Sequence, residues 1–395
     1  MRNFTKIFCV FFSILMVVSL AACSFTQQYS YKTDDTELPI GVYIYNLYSA
    51  YNQAQSFAQQ SDKYDSEAGT YDGQKSFLKM EITDDDKKTA TADEWILEKA
   101  DEYTKNILAV YHEFNELGCT IDEATESGYK AQAQEYWDHG PYYQYGEQYA
   151  NPYSDIFEPL GVGFDSFYIA TFYTSAMQEK VFDALYGATG TQAVSDKELT
   201  DFFTKNYVSY KFFNVNLYTT ESQATKDEEG NDTTEDVDVP LSDNEIQDYK
   251  AAFGNYANDI NGGASFDDVV KEYMDKYSVE NDPSQSGVEV LDDSSIGENI
   301  VKKLKELKDG SADTLVIGDE TDDSASDVLY LIYREPIENQ ISAYIEDTAQ
   351  RETVLQKMKQ DDLTDFLDEV AGSLGITKSS AVGGYTPKRI EDLTK

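Results

Sequence analysis

A change of hydrophobic period near residue 207 constrains the fold more than any other feature. Upstream, apolar residues recur at helical spacing, whereas from Tyr210 to Leu217 (Tyr-Lys-Phe-Phe-Asn-Val-Asn-Leu) they alternate. The first pattern lays a stripe along a helix; the second turns one face of a strand toward a core. A chain that carries both in succession changes architecture between them. A helical domain therefore ends and a sheet-containing domain begins, and the expected class is α+β.

In the helical part, residues 39–205, Pro39 suits a first helical position. Ile40, Ile44, Leu47, Tyr48 and Tyr51 then share one face of a helix running to Gln59. Residues 61–91 are polar and weakly periodic, a loop with short structure. From Asp93 a long helix aligns Ile96, Ala100, Tyr103, Ile107, Tyr111 and Phe114, and Gly118 stops it. Thr120 with Glu123 resembles a capping box for a helix that Gly140-Pro141 breaks. A tyrosine-rich stretch follows. Phe167 to Leu185 forms another helix, closed by Gly187, and Ser195 with Glu198 caps a shorter one through Leu199, Phe202 and Phe203.

Residues 206–336 form the second domain. Its acidic insertion, residues 221–241, is poor in hydrophobes and is expected to be mobile. Helices are expected after Ser242 (Glu245 at its third position), after Ser265 (Asp268), and after Ser295 and Glu298, the last ending at Gly310. Strands Thr314 to Ile317 and Val328 to Tyr333 close the unit. Residues 337–372 carry an apolar stripe with no glycine or proline between Ile337 and Val370. They read as one long helix, or two end to end, packed back on the helical domain. Residues 373–395 are expected to be a flexible tail.

At the N-terminus, Arg2 and Lys6 precede an apolar run from Ile7 to Leu20. The run is shorter than the ~20 residues of a membrane-spanning helix and suits the core of a secretory signal. It ends in Leu20-Ala21-Ala22-Cys23, which resembles the lipobox of bacterial lipoproteins. That resemblance implies loss of residues 1–22 as a signal peptide and a diacylglyceryl group on the Cys23 thiol. Residues 23–38 become a lipidated tether, and the protein sits on the outer face of the cell membrane. A thiol is the nucleophile this alkylation needs, and two acyl chains anchor where one holds only marginally.

The formal net charge of −43 becomes −45 when Arg2 and Lys6 leave with the signal. Such a surface lacks the basic footprint of a nucleic-acid binder and repels anionic headgroups, leaving the lipid as the membrane contact. It favours cationic unfolded partners. Of the three cysteines, Cys9 departs and Cys23 is lipidated, so Cys119 stands alone and stability must come from an apolar core. His112 and His139 have no partners at metal or triad spacing. The acidic runs Asp84-Asp85-Asp86 and Asp319-Glu320-Thr321-Asp322-Asp323 lack the calcium-loop pattern. No metal and no cofactor are expected. Tyr136, Trp137, Tyr142, Tyr143, Tyr145, Tyr149 and Tyr153 either pack between helices or present an adaptable aromatic platform for unfolded peptide or for sugar.

The order of helical domain, small sheet unit and closing helix resembles lipoprotein foldases and periplasmic chaperones of the PrsA and SurA type. Three segments carry the resemblance: residues 194–199 with 202–207, residues 263–273 followed by Tyr277-Ser278, and Leu304-Lys305-Glu306-Leu307-Lys308-Asp309-Gly310. It implies a helical SurA/trigger-factor-like chaperone domain, an inserted parvulin-like α/β domain and a long closing helix. Active parvulins place histidines on the first and last strands, with a central acid or cysteine. Here those positions fall at Phe212 or Phe213 and at Leu329 or Tyr330, and a glycine pair is reduced to Gly287. The implied function is a membrane-anchored holdase for unfolded or nascent exported proteins, with the prolyl isomerase chemistry lost. An active isomerase is the alternative. A solute-binding lipoprotein is a third reading, disfavoured because few strands are legible.

Overall fold

The computed structural model describes residues 28–226, 232–291, 294, 296–318 and 326–394. The signal segment, Cys23, the centre of the acidic insertion, Ser295 and the run Asp319 to Asp323 lie outside the described residues. The architecture is mixed α+β with small antiparallel sheets. The chain divides into two units, one of residues 28–193 and 360–394, the other Val194–Lys359.

In the first unit, β1 (Tyr29–Lys32) pairs antiparallel with β2 (Glu37–Pro39). The expected tether therefore ends earlier than the sequence suggests. Tyr31 and Leu38 are each only 1% exposed, and the Ser30 hydroxyl donates to the Leu38 carbonyl at 3.1 Å. Burial of these two large side chains, together with the strand pairing, favours order in this otherwise polar segment. Helix α1 (Ile40–Gln59) starts one residue later than expected, with Pro39 as its N-cap. It buries Val42, Ile44, Leu47, Ala50 and Ala54.

Two short hairpins follow, β3 (Tyr64–Asp65) with β4 (Thr70–Tyr71) and β5 (Glu81–Thr83) with β6 (Thr89–Thr91). Helix α2 (Ala92–Glu116) presents Trp95, Ile96, Ala100 and Leu108 to the same core as α1. Between the two helices, Asn46 Nδ2 donates to Thr104 Oγ1 at 3.0 Å, and Thr104 Oγ1 donates to the Ala100 carbonyl at 2.7 Å. These buried polar groups are thereby satisfied.

Helix α3 (Glu123–His139) is capped by Asp122, whose carboxylate accepts the N–H groups of Ala124 and Thr125, and not by Thr120. Asp122 occupies the position directly before the first helical residue, where a side-chain oxygen reaches the free N–H groups. Helices α4 (Tyr153–Phe157), α5 (Phe164–Tyr168) and α6 (Thr174–Tyr186) complete this run, with a five-residue π-turn, Ile169–Tyr173, joining α5 to α6.

The second unit opens with α7 (Asp196–Asn206), whose Ser195–Glu198 capping box forms in full. Strand β7 (Tyr207–Asn216) lies beside β12 (Val328–Glu335) in an antiparallel sheet of order β10-β7-β12-β11, with β10 at Gln285–Val290 and β11 at Ser311–Ile317. Strand β10 has no counterpart in the sequence reading. The acidic insertion is also a correction: β8 (Tyr218–Lys226) and β9 (Asp232–Pro240) pair residue for residue in a two-stranded ribbon. A ribbon solvated on both faces needs no apolar residues, so low hydrophobicity does not exclude it.

Helices α8 (Asp243–Asn261) and α9 (Phe266–Tyr277) share a core with Phe213, Leu329 and Leu331. Val208, Tyr210, Phe212 and Ile332 join instead with Ile300 and Leu304 of α10 (Glu298–Glu306), which is capped by Gly297. Alternation along β7 thus feeds two cores.

After a 3₁₀ turn (Ile337–Gln340) and a π-turn (Ser342–Glu346), extended backbone at Asp347 separates these from α11 (Thr348–Ser373). The apolar stripe is therefore split into two segments. Asn106 Nδ2 donates to Asp368 Oδ1 of α11 at 2.8 Å. The expected loose tail is ordered: β13 (Thr377–Lys378) pairs with β1, and α12 (Pro387–Leu393) is anchored by buried Ile390. Val382 and Ile390 belong to the core of the first unit, and their burial contributes to holding the segment in place.

Candidate functional site

The tyrosine-rich stretch is a pinned surface loop between α3 and α4. Gly140 ends α3 with φ +84° and ψ 163°, a conformation open essentially to glycine alone. A Cβ there would lie 2.2 Å from the Asn151 carbonyl oxygen. Across the neck, the Asn151 N–H donates to the His139 carbonyl at 2.9 Å. Inside the loop, two 3₁₀ turns (Tyr143–Tyr145 and Glu147–Tyr149) hold the backbone, and the His139 ring stacks on Tyr143 with centroids 4.5 Å apart.

This geometry divides the seven aromatic candidates. Trp137 is buried, its ring 6.5 Å from Phe157 and nearly parallel, and 5.4 Å from Phe167. Tyr136 meets Phe172 edge-on at 5.5 Å, and Tyr153 meets Phe167 at 5.5 Å. These three form the apolar base, while Tyr143 is half-buried against the exposed His139 ring. Tyr142, Tyr145 and Tyr149 remain 63%, 67% and 53% exposed. Phenol rings in that position combine contact area with a hydroxyl that water can satisfy, and few rotatable bonds are lost on binding.

In the second unit, Phe213 is fully buried against Phe253 (5.1 Å between centroids) and Tyr273 (4.9 Å), and Leu329 shares that core. Phe212 is buried on the other face, 5.9 Å from half-buried Tyr330. No imidazole, carboxyl or thiol stands at these four positions; Tyr330 contributes a phenol. Nearby polar groups are committed elsewhere: Tyr210 donates to Glu289 at 2.7 Å, and Lys211 pairs with exposed Asp267 at 2.9 Å. Burial, followed by the Glu289 bond, raises the Tyr210 pKa far above the phenol range, so it stays protonated. Gly287 permits the approach of this tyrosine, since a Cβ there would lie 2.5 Å from its hydroxyl.

His112 Nε2 lies 4.0 Å from Glu113, whose carboxyl is pushed up by burial. The Cys119 thiol is also pushed up by burial, and Sγ contacts the Lys180 carbonyl at 3.5 Å, the opposite of a reactive thiolate. Among the described residues no cluster of ligating side chains is suited to a metal ion, and no helix is long and apolar enough to cross a membrane. The first unit also holds a cavity of about 500 Å³ walled by Tyr111, Tyr168 and Tyr173. Sequence reasoning missed it, because these tyrosines sit on three helical segments and the π-turn that brings Tyr173 round leaves no pattern in the residues. No family model matches the chain, and no curated protein does either.

Proposed function

We propose that this protein is a lipid-tethered, extracytoplasmic folding factor that holds unfolded exported polypeptides and does not catalyse prolyl isomerisation. The observation that carries the reading is the pinned loop with three outward tyrosines above an aromatic base. Such a surface binds apolar segments of many sequences, as a holdase requires. The net charge of −45 expected of the mature chain adds attraction for cationic chains. An antiparallel sheet with helices in both of its cores is consistent with a parvulin-like unit. The lack of an imidazole at Phe212, Phe213, Leu329 and Tyr330 supports loss of its chemistry. Rotation about a prolyl bond faces a barrier of about 18–20 kcal/mol, and lowering it needs placed polar groups.

The test uses the mature chain with Tyr142→Ser, Tyr145→Ser and Tyr149→Ser combined. Light scattering from a diluted, denatured cationic client should be suppressed by the parent and largely restored by the triple variant. Equal suppression by both would remove the loop from the account. Cys23→Ala should release the protein from the membrane fraction, and retention there would refute the anchor.

A further inference from the structure

The four-stranded sheet of the second unit ends differently on its two sides. Strand β11 forms one edge, and its outward main-chain groups are taken. The Asn261 side chain, at the end of α8, donates to the Ala312 carbonyl at 3.0 Å and accepts the Ala312 N–H at 2.9 Å, while Asp313 Oδ1 accepts the Thr314 N–H at 2.8 Å. Strand β10 forms the other edge, and among the described residues it pairs with β7 alone.

The ladder fixes which groups of β10 are left over. The Leu217 N–H donates to the Asp327 carbonyl at 2.8 Å, continuing the register in which Val215 lies opposite Leu329 and Phe213 opposite Leu331. Along an antiparallel strand, successive residues bond to alternate sides. The odd-numbered residues of β7 therefore bond β12, and Val208, Tyr210 and Phe212 bond their partners on β10, Glu289, Gly287 and Gln285. Ser286, Val288 and Val290 then turn their N–H and C=O groups to the free side. The same alternation carried across β12 makes Ala312 and Thr314 outward-facing on β11, where side chains are found bonding them. On β10 no proline or lysine interrupts the strand, although such residues commonly blunt an exposed edge. Ser286 is exposed, and Val288 and Val290 are half-buried.

We propose that β10 accepts an extended, basic segment of an unfolded polypeptide as a fifth strand of the sheet. Main-chain groups recognise main chain whatever the side chains, so this edge suits clients of many sequences. Charge selects among occupants. Between Lys276 and Lys302 the sequence carries acids alone, Glu280, Asp282, Glu289, Asp292, Asp293 and Glu298, which favours a basic segment. A second copy of this chain, at −45 once mature, is repelled. The inference rests on the holding function and gives it a contact separate from the tyrosine loop.

Hydrogen exchange and calorimetry on the mature protein test it, with the acetylated peptide Lys-Thr-Val-Thr-Val-Thr-Lys as probe. The amides of Ser286, Val288 and Val290 should exchange fast in the free protein and slow when the peptide is added. A peptide N-methylated at alternate residues keeps one donor edge and should still bind; one methylated at every residue should not. Ser286→Pro and Val288→Pro each remove one outward N–H and leave the bonds to β7, and each should weaken binding roughly fivefold, as for one lost hydrogen bond. The triple serine variant of the tyrosine loop should bind the peptide like the parent, so failure at β10 and failure of the loop are told apart. Slow exchange at Val288 in the free protein would show the edge already covered by this chain or a second copy and would overturn the proposal. So would equal binding of the fully methylated peptide, or unaltered affinity in both proline variants.

Discussion

Gly140→Ala tests whether the tyrosine loop works as a pinned platform. The substitution asks an L-residue to adopt φ +84°, ψ 163°, which costs about 1–3 kcal/mol. It also places a methyl group 2.2 Å from the Asn151 carbonyl oxygen, so the neck must open by about 1 Å or more to regain ordinary contact. That opening stretches the 2.9 Å bond from the Asn151 N–H to the His139 carbonyl, whose loss adds about 0.5–1.5 kcal/mol. The combined local destabilisation is about 2–4 kcal/mol. Hydrogen exchange at the Asn151 amide reads it directly, since 2 kcal/mol accelerates exchange roughly 30-fold. Amides of the buried α1 segment around Leu47 should keep their protection, because no residue of the neck belongs to that helix. Holding of an unfolded client should fall in parallel. Unaltered protection at Asn151 would refute the reasoning that glycine is required at the neck.

Three further outcomes are expected. Asp84 accepts the Trp95 indole N–H at 2.9 Å, and chiefly that bond holds its carboxyl below the usual 3.8. A folded-state pKa lowered in this way stabilises above the unfolded value and loses that contribution as pH falls below about 4. Asp84→Asn should therefore destabilise the protein at pH 7 and match the parent more closely near pH 3 in thermal melts; a difference that grew on acidification would contradict the assignment. Truncation after Ile376 removes buried Val382 and Ile390, worth about 3–6 kcal/mol together, and should lower the melting temperature clearly where loss of a loose tail would not. Phe213→Ala opens a cavity among Phe253, Phe266 and Tyr273 and should cost about 3–5 kcal/mol in unfolding measurements, more than Tyr330→Ala at its half-buried position.

The sequence revealed elements whose information is local. The Ser195–Glu198 and Ser242–Glu245 capping boxes form as their spacing implies, and the apolar steps of α1 and α2 become buried faces. What stayed hidden depends on distant partners. Thr377–Lys378 becomes a strand only because β1 is there to pair with it, and β10 only because β7 offers an edge. In the acidic insertion the charge outweighs the weak alternation of Thr233, Val237 and Val239, which β9 carries opposite β8. For the site, the tyrosines were legible as a group but not as a division into base and surface, which follows from where Gly140 turns the chain. The cavity of Tyr111, Tyr168 and Tyr173 draws on segments far apart in sequence, and no spacing announces it.

The most direct measurement follows the refolding of a client whose slow phase is limited by a trans-to-cis prolyl bond, with and without the mature protein. Such phases take tens to hundreds of seconds when uncatalysed. The account expects the yield of soluble client to rise while the rate constant of the slow phase stays the same. A slow phase accelerated in proportion to the protein added would contradict it, because the account assigns no catalytic role to Phe212, Phe213, Leu329 or Tyr330.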